Sequence, residues 1–111
     1  MNKNKKKTIL QMKTKVTREE GQITIEFTGR LDTPAAQEAN PEITPLLDEA
    51  DKTIIIDCKE LTYISSSGLR IFLTIRKAAE DRKGKVIVQN INNDIRSVFM
   101  MTGFLNLFEI R

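Results

Sequence analysis

Apolar and polar positions alternate through two stretches near the start of the chain. Leu10, Met12, Thr14 and Val16 fall on one side, with Lys13 and Lys15 on the other. Further on, Ile23, Ile25 and Phe27 alternate with Thr24, Glu26 and Thr28. A period of two sends successive side chains to opposite faces of a strand. Both stretches therefore read as half-buried strands, joined at Glu20-Gly21 into a hairpin. Lysines protect the first as an edge strand, and Gly29-Arg30-Leu31-Asp32 ends the second. Thr33-Pro34 starts a helix, with Pro34 at the first helical position. The stretch 34–50 is helical in part, broken or in two pieces at Pro41 and Pro45, with Ile43, Leu46 and Leu47 as core contacts.

Thr53-Ile54-Ile55-Ile56-Asp57 is a continuous β-branched run, the pattern of a central strand covered on both faces. Ser67 to Lys83 is the longest clean helix. Leu69, Phe72, Ile75 and Ala79 make its buried stripe, Arg70, Lys77 and Asp81 fall off it, and Gly84 stops it. Lys85 to Gln89 is another interior strand. Ile95, Val98, Phe99 and Thr102 mark a short helix ending at Gly103, and Leu107, Phe108 and Ile110 a last short strand. Met100, Met101, Phe104 and Leu105 read as core, with an exposed methionine pair on a binding surface as the alternative. The order β-β-α-β-α-β-α-β predicts a single α/β domain. Its sheet is mixed, mostly parallel at the centre, with about five strands and three to four helices.

Composition narrows the chemistry. Apolar residues make up 40% of the 111 and charged residues 30%, the balance of a globular protein. There is no His and one Cys, Cys58, which removes an imidazole base, a His/Cys zinc site and an intrachain disulfide. Cys58 reads as a small packed residue. The net charge of +3 is unevenly spread. Residues 1–18 hold seven bases (Lys3, Lys5, Lys6, Lys7, Lys13, Lys15, Arg18) and no acid, leaving 11 bases against 15 acids, or −4, in the rest. A basic, flexible arm over 1–11 thus precedes a domain over 12–111 that is mildly acidic beyond residue 18, and the folded part does not read as a nucleic-acid binder. No apolar run is long enough for a secretory signal or a membrane span. The expectation is a cytoplasmic protein with no cofactor and no metal.

One segment stands apart from packing: Ile64-Ser65-Ser66-Ser67-Gly68-Leu69, between a buried strand and the longest helix. The first amides of a helix lack intrahelical partners, and a serine oxygen caps one of them. The generic reading of such a turn is a cap and a polar loop. One serine suffices for that, so three leave at least one hydroxyl free where the helix end favours an anion.

Asp57 through Leu69 resembles the STAS-domain signature, in which a buried strand leads through polar residues to Asp-Ser-Ser-Gly-Leu opening a helix. Gly29-x-Leu31-Asp32 resembles the family's motif after its second strand. Met101-Thr102-Gly103-Phe104 with Leu107-Phe108 resembles its C-terminal pattern. The similarity runs over roughly 12–111 and is to stand-alone anti-sigma factor antagonists of bacterial partner-switching systems. It implies a STAS fold and a phosphorylation switch. In that family the Ser before Ser-Gly-Leu, here Ser66, is phosphorylated by an anti-sigma factor that is also a serine kinase. The unmodified form binds that partner, phosphorylation releases it, and a phosphatase resets the switch. The chain departs from the pattern where the family has an acidic residue and this chain has Ser65, which is itself an alternative acceptor. The implied partner surface is Asp32, Ser65, Ser66, Ser67, Gly68, Leu69 and Arg70.

Asp32 also reads as an ordinary turn or cap residue, Asp57 as a structural acceptor for loop amides, and Lys59 and Glu60 as loop residues beside the serine turn. Two other functions compete. A STAS subunit packed on a transporter or lipid-trafficking ATPase would use the turn as an interface, unphosphorylated. A serine-nucleophile enzyme ranks last: it needs a base in reach, there is no His, and Gly-x-Ser-x-Gly is absent.

Overall fold

The computed structural model describes residues 13–111. Leu10, Met12 and the basic arm over 1–11 lie outside them. The hairpin forms as its alternation predicts. Strand β1 (Lys13–Glu19) pairs antiparallel with β2 (Gln22–Leu31), from Lys13 opposite Thr28 to Glu19 opposite Gln22. Helix α1 (Thr33–Ile43) and a 3-10 turn (Thr44–Glu49) lead to β3 (Thr53–Asp57). Then follow β4 (Leu61–Ile64), α2 (Ser66–Asp81), β5 (Lys85–Gln89) and α3 (Asn93–Thr102). A second 3-10 turn (Phe104–Asn106) precedes β6 (Glu109–Ile110). The sheet order is β1-β2-β3-β5-β6, and every pairing beyond the hairpin is parallel. None of the described helices is long and apolar enough to cross a membrane.

Strand β4 escapes the sequence reading. It has four residues with only Leu61 and Ile64 buried, which leaves no alternation to detect. It matters because β2 changes partner along its length. Gln22–Glu26 pairs with β3, the register slips between Gly29 and Arg30, and the last residues run beside β4. At Gly29 φ is +98°. The second strand therefore does not end at Gly29 but bends there and continues to Leu31.

Register sets one face of the sheet. Ile23 and Ile25 on β2, Ile54 and Ile56 on β3, and Val86 and Val88 on β5 stand side by side. Ile43, Phe72 and Phe99, one from each helix, bury in the same cluster. Ile55 and Ile87 point the other way and lie outside it. The expectation that β3 is covered on both faces is thus corrected. Its burial alternates, with Ile54 and Ile56 inaccessible and Ile55 half-buried, because all three helices pack on one side. All five phenylalanines join in one run. Phe72 stacks on Phe27 at 5.9 Å and meets Phe99 and Phe108 edge-on at 5.9 and 6.2 Å, and Phe104 bridges the last two. Edge-on pairs suit the ring quadrupole.

Three further details depart from expectation. Pro41 does not break α1: it lies inside the helix at an exposed position, and the break comes at Pro45. Gly84 is not the left-handed stop of α2. Lys83 takes that conformation (φ 59°), and Gly84 is needed for space, since a Cβ there would lie 1.8 Å from the Ala50 carbonyl oxygen. Met100 and Met101 are 64% and 85% exposed, so they leave the core, whereas Phe104 is buried and Leu105 partly so. The stripe on α3 puts Ile95 and Phe99 inward and turns residues 100 and 101 outward. Arg18, one of the seven bases in residues 1–18, pairs with Glu49 at 2.9 Å and ties the hairpin to the first 3-10 turn.

Phe72→Ala is expected to cost about 3–5 kcal/mol. Gly84→Ala is expected to cost about 1–3 kcal/mol or more, because backbone must move. Urea unfolding followed by circular dichroism checks both.

Candidate functional site

The partner change in β2 brings two helix starts together. Leu31 and Ile64 are the last register pair between β2 and β4. One residue further on, Asp32 caps α1 and Ser65 caps α2. Asp32 Oδ1 accepts from the Ala35 amide at 3.0 Å, and Ser65 Oγ accepts from the Gly68 amide at 3.2 Å. Both caps lie at the carboxyl ends of parallel strands, the end where open α/β sheets place their sites.

The three serines divide the work. Ser65 is half-buried and doubly tied to the end of β2: its amide and its hydroxyl both donate to the Leu31 carbonyl, at 2.9 and 3.1 Å. Ser67 is half-buried, and its Oγ lies 3.3 Å from Thr33 Oγ1 across the two helices. Ser66 is exposed, and its hydroxyl makes no hydrogen bond among the described residues. The departure from the family pattern at Ser65 has a physical reading. Asp and Ser are comparable N-caps, so Ser65 fills the capping role of an acid there. It adds a donor to Leu31 that a carboxylate lacks.

The remaining predicted surface is mixed. Gly68 is buried: a Cβ there would come within 2.8–2.9 Å of Leu31 and Ile64, so its absence lets α2 seat on the ends of β2 and β4. Leu69 is half-buried and packs against the core. The buried stripe of α2 is Gly68, Ile71, Phe72, Ile75, Ala78 and Ala79, with Leu69 at its margin. Arg70 is exposed. It lines a polar groove of about 290 Å³ between α1 and α2 with Thr33, Gln37, Asn40, Ser67 and Thr74. Thr33, Gln37 and Asn40 escape the sequence reading, since only the packing of α1 against α2 brings them to Ser67.

Residues upstream of the turn are structural. Asp57 accepts from the Lys59 amide at 3.0 Å and from the Asn90 and Gln89 side-chain amides at 3.1 and 3.2 Å. Partial burial pushes its carboxyl up, but those three donors and the Lys59 charge outweigh it, holding it below the ordinary range. Burial, with Asp57 adjacent, pushes the Cys58 thiol up to about 12, which leaves an inert side chain. Lys59 and Glu60 are exposed, and Tyr63 lies under the Arg30 guanidinium at 4.1 Å.

Comparison with known proteins agrees with the fold. The STAS domain model matches residues 13–111. The chain belongs to the STAS family. It is 26% identical over 99 residues to BtrV of Bordetella bronchiseptica, a candidate anti-sigma factor antagonist, spanning 89% of this chain and 85% of BtrV. It is 23% identical over 82 residues to the anti-sigma-B factor antagonist of Staphylococcus aureus, 74% of this chain and 76% of that one. The Bacillus cell fate determinant SpoIIAA in its phosphorylated form matches with a TM-score of 0.70 at 22% identity, covering 89% of this chain and 91% of SpoIIAA. The unphosphorylated form gives 0.68 at 21%, covering 90% and 86%. The likeness to SpoIIAA establishes a shared fold.

Ser65→Ala is expected to cost about 0.5–2 kcal/mol, as loss of a helix cap does. Ser66→Ala is expected to stay within about 0.5 kcal/mol, like other free surface positions; urea midpoints of the two variants decide. The lowered Asp57 carboxyl gives stability that is present above its unfolded pKa and is lost as pH falls through its folded value. Unfolding midpoints taken from pH 5 to pH 2 are expected to fall less steeply in Asp57→Asn than in the parent.

Proposed function

We propose that this protein is an anti-sigma factor antagonist controlled by phosphorylation of Ser66. On this reading it acts in the cytoplasm and is not itself an enzyme. It binds an anti-sigma factor with serine kinase activity while Ser66 is unmodified. The observation that carries the reading is the division of labour among the serines. Ser66 alone of the three is exposed with an uncommitted hydroxyl, at the first position of α2. Ser65, the alternative acceptor, has its oxygen committed to the Gly68 amide and the Leu31 carbonyl. The names of the relatives support the antagonist part of this reading.

The chemistry is a phosphoryl transfer in which the partner supplies ATP, magnesium and a base. Ser66 Oγ forms the new bond to the γ-phosphorus, the bond to the ADP oxygen breaks, and the hydroxyl proton passes to the partner's base. The product carries about −1.5 to −2 charges near neutral pH. Within its own fold that charge sits at a helix start, which favours it by about 0.3–1 kcal/mol. In a dry interface the same charge left unpaired costs about 2–5 kcal/mol, a weakening of about 30-fold to several thousand-fold. Release then follows without a change of fold. The partner face centres on Ser66 and includes Asp32, Ser65, Ser67 and Arg70, with Gly68 and Leu69 supporting it from beneath. A phosphatase that returns Ser66 to the alcohol completes the cycle.

Incubation with the cognate kinase and ATP is expected to add one phosphate to the parent and none to Ser66→Ala, read by intact-protein and peptide mass spectrometry. Ser66→Asp is expected to weaken the complex and Ser66→Ala to preserve it, read by calorimetry. Phosphate on Ser65 alone overturns the assignment of Ser66 and makes Ser65 the acceptor; no phosphate on the parent, or equal affinity of both variants, overturns the switch and favours an unphosphorylated STAS subunit.

A further inference from the structure

The cations of α2 are not treated alike. Arg76 pairs with Glu80 and Lys77 with Asp81, each four residues on. Arg70 has no such acid. The positions three and four away on either side are Ser66, Ser67, Leu73 and Thr74. Its side chain makes no hydrogen bond, ion pair or ring contact among the described residues. At roughly 100° per residue, Arg70 projects about 40° around the helix from Ser66 and about 60° from Ser67. It thus stands one turn beyond Ser66, between that residue and the groove it lines with Ser67 and Thr33.

We infer that Arg70 is the clasp of the phosphorylated state, its guanidinium pairing with a phosphate on Ser66. This rests on the reading of Ser66 as the modified residue and adds what receives the charge. An anion four residues before a cation is the favourable order on a helix, and the guanidinium fork matches two phosphate oxygens. Lys59 and Glu60 are exposed in the loop before β4, while the two charged groups nearest the caps are engaged. Asp32, at the start of α1, accepts from the Ala35 amide, and Arg30, at the end of β2, lies over the Tyr63 ring of β4. The unmodified protein therefore presents a free guanidinium beside Ser66, and the phosphorylated protein does not. Phosphorylation both adds an anion to the partner face and withdraws a cation from it.

The test installs phosphoserine at position 66 during translation, so that it does not depend on any kinase. Phosphorus NMR then follows the second ionisation of the phosphate in the parent, Arg70→Gln and Arg30→Gln. Arg70→Gln is expected to raise the midpoint by about 0.2–0.7 pH, the size of an exposed ion pair. Arg30→Gln is expected to leave it in place. Equal midpoints in parent and Arg70→Gln, or a rise in Arg30→Gln alone, overturn the clasp. Circular dichroism of the unphosphorylated variants checks that each is folded. Failure of the clasp shows in this titration, whereas failure of the Ser66 reading shows in the kinase assay.

Discussion

The Leu31 carbonyl takes two hydrogen bonds from one residue, the amide and the hydroxyl of Ser65. This contact joins the end of β2 to the start of α2 across 34 positions of chain. Through it the two helix caps, Asp32 and Ser65, come to lie one step beyond the same register pair. Had β2 kept β3 as its partner throughout, α1 and α2 would not begin beside each other. The slip at Gly29 and the short strand β4 make that geometry, and Gly68 permits it by leaving no Cβ between α2 and the strand ends.

Held this way, the turn separates structural from chemical duty. Ser65 and Ser67 are tied to neighbouring elements, and Ser66 between them is not. A hydroxyl on a well-capped helix can gain a charge without loosening what holds it, because its bonds are not part of the support. The phenylalanine run beneath α2 serves the same end, fixing the helix through Phe72 while its exposed side stays available. On the proposed function, charge added at Ser66 is felt by whatever docks on that side rather than by the core, and the proposed clasp, Arg70, is placed to meet it.

Much of the architecture was legible in the chain. The hairpin follows from a period of two, the two later helices from a period of 3.6, and β3 and β5 from short apolar runs rich in β-branched residues, all of which local residues set by themselves. The Ser65–Leu69 motif drew notice through cap chemistry and through its resemblance to the STAS signature. Strand β4 was not legible, since two buried residues three apart define no period. Nor was the exposure of Met100 and Met101, where an apolar side chain says only that it can be buried.

Local sequence alone settled most of the strands and helices, the α/β class, and the unusual serine turn that opens the longest helix. These depend on neighbours a few positions apart. Only the tertiary structure decided which serine is free, because the partners of Ser65 and Ser67 are Leu31 and Thr33, more than thirty residues away. The role of Gly84 likewise depends on the Ala50 carbonyl, a contact that no local pattern encodes. Hydrogen bonds and close approaches between distant segments exist only once the sheet is assembled, and they leave one of three identical hydroxyls without a partner among the described residues.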